Sequence, residues 1–173
     1  MRVFSVQEVG PAVARNLREL DAADTAQAAA TTALTTRVGT LENLGTKGYA
    51  QVTSDQTGIT TMTDLTGLSV TWTAVAGRRY RVSFKVLVFS TVANDDANVW
   101  IRNGSSTKLN AYGVRAVSTT HGIAVTGSHV LAGLSAGSQT VKLSLERAAG
   151  SGSLGLAAAS THPSFILVED IGI

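Results

Sequence analysis

The chain has no cysteine among its 173 residues and only two prolines, Pro11 and Pro163. The first absence excludes a disulfide framework and any thiolate metal site, and it leaves the redox compartment open. Charge is also scarce: Asp, Glu, Lys and Arg make up 15% of the residues, for a net +2. So few scattered basic groups exclude an extended nucleic-acid surface. The hydrophobic share of 44% excludes disorder as a general state. No apolar run approaches the length of about eighteen residues that crosses a bilayer. The opening MRVFSVQEVG also lacks the basic, apolar and small-residue layout of a secretory signal. Work outside a cell then implies release by lysis or carriage in a larger particle.

What the chain does have, first, is a seam. Val13, Leu17, Leu20, Asp24, Gln27, Thr31, Leu34, Val38 and Leu41 follow one another at alternating steps of four and three. That spacing places Leu17, Asp24, Thr31 and Val38 at a and the others at d of a heptad. Pro11 suits a first helical turn, the composition favours helix, and Gly45 and Gly48 supply a stop and a hinge. So narrow a stripe needs partners, and copies of the same helix are the natural ones. Arg37 at g and Glu42 at the following e have the spacing that pairs neighbouring helices in a parallel bundle. The middle of the seam is polar, and Ala22, Ala26, Ala29 and Ala33 form a competing stripe. The alternative is therefore one amphipathic helix packed on its own domain.

Residues 1–10 place Val3, Phe4, Val6 and Val9 ahead of the Gly10-Pro11 break. They read either as a frayed end or as a peg that docks on a host assembly by strand addition. The division expected is therefore a peg at 1–10, a coiled-coil stalk at 11–47 and a β head at 48–173.

The head is rich in Thr, Ser, Val and Gly, with short apolar–polar alternations between turns, the pattern of an antiparallel β-sandwich. Leu68, Val70 and Trp72 alternate with Ser69, Thr71 and Thr73. Tyr80, Val82, Phe84, Val86 and Val88 share a face opposite Arg79, Arg81, Ser83 and Lys85, but that second face ends in Leu87 and Phe89. Asn103-Gly104 predicts a hairpin with positive φ at both residues. The closing run Phe165-Ile166-Leu167-Val168 is apolar on both faces, as in a central strand covered on both sides. Its second cover is assigned to neighbouring subunits. About eight to ten strands in this length is the size of a jelly roll.

Catalytic and metal signatures are weak. Gly150 to Gly155 (GSGSLG) matches a dinucleotide pattern formally but lacks the following helix, so it reads as a flexible loop tip. Asn94, Asp95 and Asp96 read as a solvated turn, with calcium the minor alternative. Asn103-Gly104-Ser105 is a glycosylation acceptor without a secretory route. His121, His129 and His162 have no metal-ligand spacing, and no nucleophile elbow is present. Glu146, Glu169 and Asp170 are carboxylates without a cleft assigned to them, the last two expected in salt bridges or a strand cap. Arg78, Arg79 and Arg81 read as a solvated strand edge. No enzyme activity, cofactor or metal is expected. Trp72, Trp100 and Tyr112 are the aromatic candidates for stacking on sugar rings. Trp100, on one face with Asn98 and Arg102, leads, and packing against the other sheet or a neighbour is its competing role.

The stretches DLTGLSVTWTAVAGRRYRVSFKVLVFSTVANDDANVWIRNG (Asp64 to Gly104) and HPSFILVEDIGI (His162 to Ile173), following a helix, carry a resemblance. Together they resemble small minor tail or fibre-type structural proteins of tailed bacteriophages that infect actinobacteria. A helix feeding such a sandwich is also similar to the trimeric heads of viral fibres and tumour-necrosis-factor-like proteins. The resemblance implies a non-enzymatic virion component, soluble in the host cytoplasm before assembly and then on the particle surface or tail. It implies a homotrimer, attached to other virion proteins through its N-terminus. The alternative is a module that recognises a host-wall polysaccharide, or a decoration of the capsid surface. No membrane or nucleic-acid partner is expected.

Overall fold

The computed structural model describes residues 10–42, 44–116, 119 and 122–173, without the side chains of 12 and 39–42. The chain forms two compact units, Met1–Asn43 and Leu44–Ile173. The expected attachment residues Val3, Phe4, Val6 and Val9 lie outside the described residues, as do His121 and the side chains of Leu41 and Glu42.

The first unit contains one helix, α1 (Pro11–Glu42), about 48 Å long at 1.5 Å per residue. Gly10 closes its first turn: its carbonyl accepts from the N–H groups of Val13 at 2.9 Å and Ala14 at 3.2 Å. The polar seam residue Thr31 is less polar than it reads. Its hydroxyl donates back to the Gln27 carbonyl at 2.9 Å, and Thr25, Thr32, Thr35 and Thr36 do likewise four residues back. A hydroxyl satisfied within the helix frees the Thr methyl for packing. In a single chain the seam residues Val13, Leu17, Leu20, Leu34 and Val38 are all exposed.

The second unit is all β: β1 (Gly45–Val52), β2 (Gln56–Ile59), β3 (Thr63–Ala74), β4 (Arg79–Ser90), β5 (Asp95–Asn103), β6 (Lys108–Ala116), β7 (Ile123–Leu131), β8 (Gly137–Ala149), β9 (Leu154–Ala157) and β10 (Ser164–Gly172). One sheet runs β1-β10-β4, with β7 on the far edge of β4; the short β9 and β2 continue it beside the end of β4. The other runs β3-β8-β5-β6, and all pairs are antiparallel. Counting only the eight long strands, the sheets read 1-8-3-6 and 2-7-4-5, the interlocked Greek keys of a jelly roll.

Period-two alternation fills the space between the sheets. Val82, Phe84, Val86 and Val88 of β4 meet Val99 and Ile101 of β5, Leu143 and Leu145 of β8, and Ile166 and Val168 of β10, all buried. Each such side chain contributes about 1.5–3 kcal/mol by leaving water. The Tyr80 hydroxyl accepts from the Val75 N–H at 2.8 Å, which ties the β3–β4 turn to the core.

Several expectations are corrected here. Gly45–Gly48 is not a hinge: it is the first half of β1, paired with β10 through a bulge between Thr46 and Gly48. A bulge is one way a strand accommodates glycines that elsewhere break it. The Asn103-Gly104 turn is a longer hairpin in which positive φ falls on Ser106, at +68°, and the Ser106 N–H donates to the Asn103 carbonyl at 2.9 Å. Asp95 is not a solvated turn residue. It is buried, and its carboxylate accepts from Ser90 Oγ at 2.6 Å and from the N–H groups of Ser151 and Gly152 at 3.1 and 2.9 Å. The Gly150–Gly155 segment is therefore a cradle pinned to Asp95, not a loose tip. A Cβ at Gly150 or Gly152 would collide with that carboxylate. The Ser90 hydroxyl, and then the loop N–H groups against the cost of burial, hold Asp95 below the usual carboxylate range.

The arginine cluster is solvated at Arg79 and Arg81 but not at Arg78. Arg78 is buried and donates to Asp170 at 2.5 Å, while the exposed Arg81 bonds Glu169 at 2.9 Å. Glu169 and Asp170 thus sit in salt bridges that fasten the terminal strand. Burial opposes ionisation of Asp170, but Arg78 and the Gly172 N–H outweigh it and lower its pKa.

Candidate functional site

On the four-stranded sheet, Asn98, Trp100 and Arg102 of β5 alternate with buried Ala97, Val99 and Ile101, so all three point outward. Register then sets their neighbours. Asn98 lies between Glu146 of β8 and Gly113 of β6, Trp100 between Ser144 and Ala111, and Arg102 between Lys142 and Lys108.

Trp100 is fixed by this surround. Its indole N–H donates to Glu146 Oε2 at 2.7 Å, and Lys108 Nζ stands 4.2 Å from the ring centroid. Lys108 also reaches Glu146 at 3.5 Å, so the ion pair spans the ring. On one side of Trp100 lies a shallow depression of about 350 Å³, lined by Asp96, Asn98, Gly113 and Arg115. Arg115 clamps Asp96 there with bonds of 2.7 and 3.0 Å. On the other side, Arg102 Nη1 donates to Asp64 Oδ1 at 2.8 Å and Ser144 Oγ at 3.2 Å. Lys142 Nζ donates to Asp64 Oδ2 at 2.6 Å and to Ser106 Oγ at 2.9 Å. Burial works against the Asp64 charge, but Lys142, Ser144 and Arg102 prevail and depress its pKa. The arrangement offers one indole, an amide, hydroxyls and charged groups held in place by one another.

Tyr112 does not join this face. It pairs with Val99, turns inward, meets the Phe84 ring edge-on at 4.9 Å, and donates its hydroxyl to the Ser128 carbonyl at 2.5 Å. Trp72 is buried against Tyr80. Sequence reading gave Lys108 and Asp64 no role, and gave Lys142, Ser144 and Glu146 only outward places on one strand, with Val141, Leu143 and Leu145 inward. The outward alternation of β8 was legible, but which of its residues flank Trp100 depends on a bulge at the Asp96/Ala97 step.

The outward face of the six-stranded sheet is mixed: Phe165 stands beside Lys85, Leu167 beside Ser83 and Glu169 beside Arg81. Leu87 and Phe89 of β4 and Phe165 and Leu167 of β10 are half-buried on it. Tyr49 of β1, 52% exposed, pairs with Leu167 and lies 5.8 Å from the Phe165 ring. The opposite residues of β10, Ile166 and Val168, are in the core. Phe89 itself lies over Gly155 of β9. Arg37 of α1 is exposed, and the side chain of its expected mate Glu42 is outside the described residues.

No group of His, Asp and Glu among the described residues is arranged to hold a metal ion. Also among them, no helix is long and apolar enough to cross a membrane.

No protein-family model matches the chain, and no curated protein matches it. Solved structures with a similar fold include dimeric latent PorU from Porphyromonas gingivalis, at 6% identity and TM-score 0.46 over 75% of this chain. This chain spans only 13% of PorU. The CBM36-1 domain of a multidomain xylanase from the hindgut metagenome of Trinervitermes trinervoides is similar at 13% identity and TM-score 0.38, over 73% of this chain and 99% of that one. The infectious bursal disease virus VP2 subviral particle gives 10% and 0.38, over 75% and 37%. Carbohydrate-binding modules recur among these neighbours. Likeness at this level carries no function across.

Proposed function

We propose that this protein is a non-enzymatic recognition module whose β head binds a saccharide of a cell-wall polymer on the Trp100 face. The observation that carries the reading is the setting of Trp100: an outward indole, oriented by Glu146, two residues along β5 from Asn98, which with Gly113 lines a depression. Flat apolar surface next to fixed hydrogen-bonding groups suits a sugar ring, which has apolar faces and hydroxyl edges. Self-association through the α1 seam and the sheet face around Leu167 makes the module a homotrimer. Three weak sites then act as one strong one.

The test is binding of purified full-length protein to wall polysaccharides, with Trp100→Ala as comparison. The variant loses binding while its circular dichroism and oligomeric state stay those of the parent. Equal binding by the variant contradicts the assignment.

A second reading, a structural spike or fibre of a phage particle, is supported by the exposed seam of α1 and by the resemblance carried by residues 64–104 and 162–173. It places the chain on a virion, at the tail or on the capsid surface, attached through residues 1–10. Deleting residues 1–41 then abolishes incorporation into particles, and normal incorporation of the deletion contradicts it.

A further inference from the structure

We infer that the saccharide recognised on this face is anionic, its carboxylate or phosphodiester group seated on Arg102 and Lys142 beside Trp100. The inference rests on the saccharide reading above and adds the charge class of the ligand. Its basis is a local imbalance of charge. Asp96 is matched by Arg115 and Glu146 by Lys108, one to one. Asp64 alone faces two cations, Arg102 and Lys142, and so leaves one positive charge uncompensated.

Those two cations also have donors to spare. Lys142 has three N–H groups and uses two, on Asp64 and Ser106. Arg102 uses Nε on the Ser106 carbonyl and Nη1 on Asp64 and Ser144, while Nη2 makes no hydrogen bond among the described residues. Both side chains are mostly covered, at 14% and 17% exposure. Shielded from bulk water, their attraction for an anion is screened less than at an open surface. Ser144 and Ser106 already hold their positions, so little order is lost when a ligand arrives. From Asn98 to Arg102 the strand rises about 13 Å, room for a short oligosaccharide with its acidic group at the Arg102 end.

Lys108 sharpens the point. It stands over the Trp100 ring, held only by the 3.5 Å contact to Glu146. A sugar stacking on that ring displaces the ammonium, which adds a third cation to the rim when the ligand is acidic.

The experiment measures binding isotherms of the full-length protein with three polymers: polygalacturonate, a glycerol-phosphate teichoic polymer and a neutral galactan, each at low and high salt. Lys142→Gln and Arg102→Gln are measured alongside. The expected result is at least about tenfold tighter binding of one or both anionic polymers than of galactan. That preference disappears at high salt and in both variants. Polygalacturonate or teichoic polymer binding alone identifies the acidic group. Galactan bound as well as the anionic polymers, with no salt dependence, overturns the inference and leaves the saccharide reading standing. An anionic preference that survives in both variants overturns the placement on Arg102 and Lys142. No binding of any polymer overturns both readings. The salt series on the unaltered protein decides the matter even if a variant fails to fold.

Discussion

On the proposed saccharide reading, Trp100 and Lys108 are the residues on which recognition turns. Lys108→Ala removes the ammonium above the indole, whose attraction for the ring is about 0.5–1 kcal/mol. Neutral saccharide should then bind about two- to fivefold tighter in titration calorimetry, since nothing has to be displaced. Gly127 is a residue on which the fold turns. A Cβ there would overlap the Tyr112 ring and come within 2.7 Å of Phe84, so Gly127→Ala should cost about 1–3 kcal/mol in urea unfolding. Three carboxylates set the acid limit, Asp95 and Asp170 buried and Asp64 partly open to solvent. Asp95, Asp64 and Asp170 have pKa values lowered in the folded state, so the unfolded chain binds more protons as pH falls through the carboxylate range. Their stabilisation is fully present above the unfolded value and is lost as pH drops towards the folded ones. Denaturant midpoints should be flat above about pH 5 and fall steeply below about pH 4. Asp170→Asn leaves Arg78 buried without its counter-charge, and should cost about 3–5 kcal/mol at neutral pH. It should also flatten the acid limb. None of the buried-charge partnerships was legible from residue type alone, because Arg78 and Asp170 are 92 positions apart and meet only when β10 lies on β4.

At the scale of elements, the strands were legible because their alternation is strict. The inward set of β4, the inward triad of β5 and the inward triad of β8 lie where period two puts them. The turns were less so, since Gly45, Gly48 and Asn103-Gly104 carry turn chemistry yet lie in or beside a strand whose pairing overrides it. Tyr112 shows the same limit. The weak pattern of β6 does not say which face is inward, and only pairing with Val99 turns Tyr112 to the core. The helix was legible from its 3–4 spacing, and the proposed role of that spacing is assembly. Leu34 is 61% exposed in a single chain, so Leu34→Lys should leave the helix and head folded while dispersing the oligomer. Sedimentation velocity checks this, and an unchanged sedimentation coefficient counts against the seam as the contact.

For the whole molecule, two apolar features call for cover: the exposed seam of α1, and exposed Tyr49 with half-buried Phe165 and Leu167 beside it. Contiguous apolar surface of this kind marks an interface more often than a free surface. The polar face with Trp100 belongs to the other sheet, so these apolar groups can be buried between copies while the recognition face remains open. The proposed multivalent recognition uses that separation, and both proposed roles depend on self-association. The most direct measurement is therefore the molar mass of the full-length protein in dilute buffer by multi-angle light scattering. The account predicts three times the 17.9 kDa of one chain, held as concentration falls. A monodisperse 17.9 kDa species at the same concentrations would contradict it.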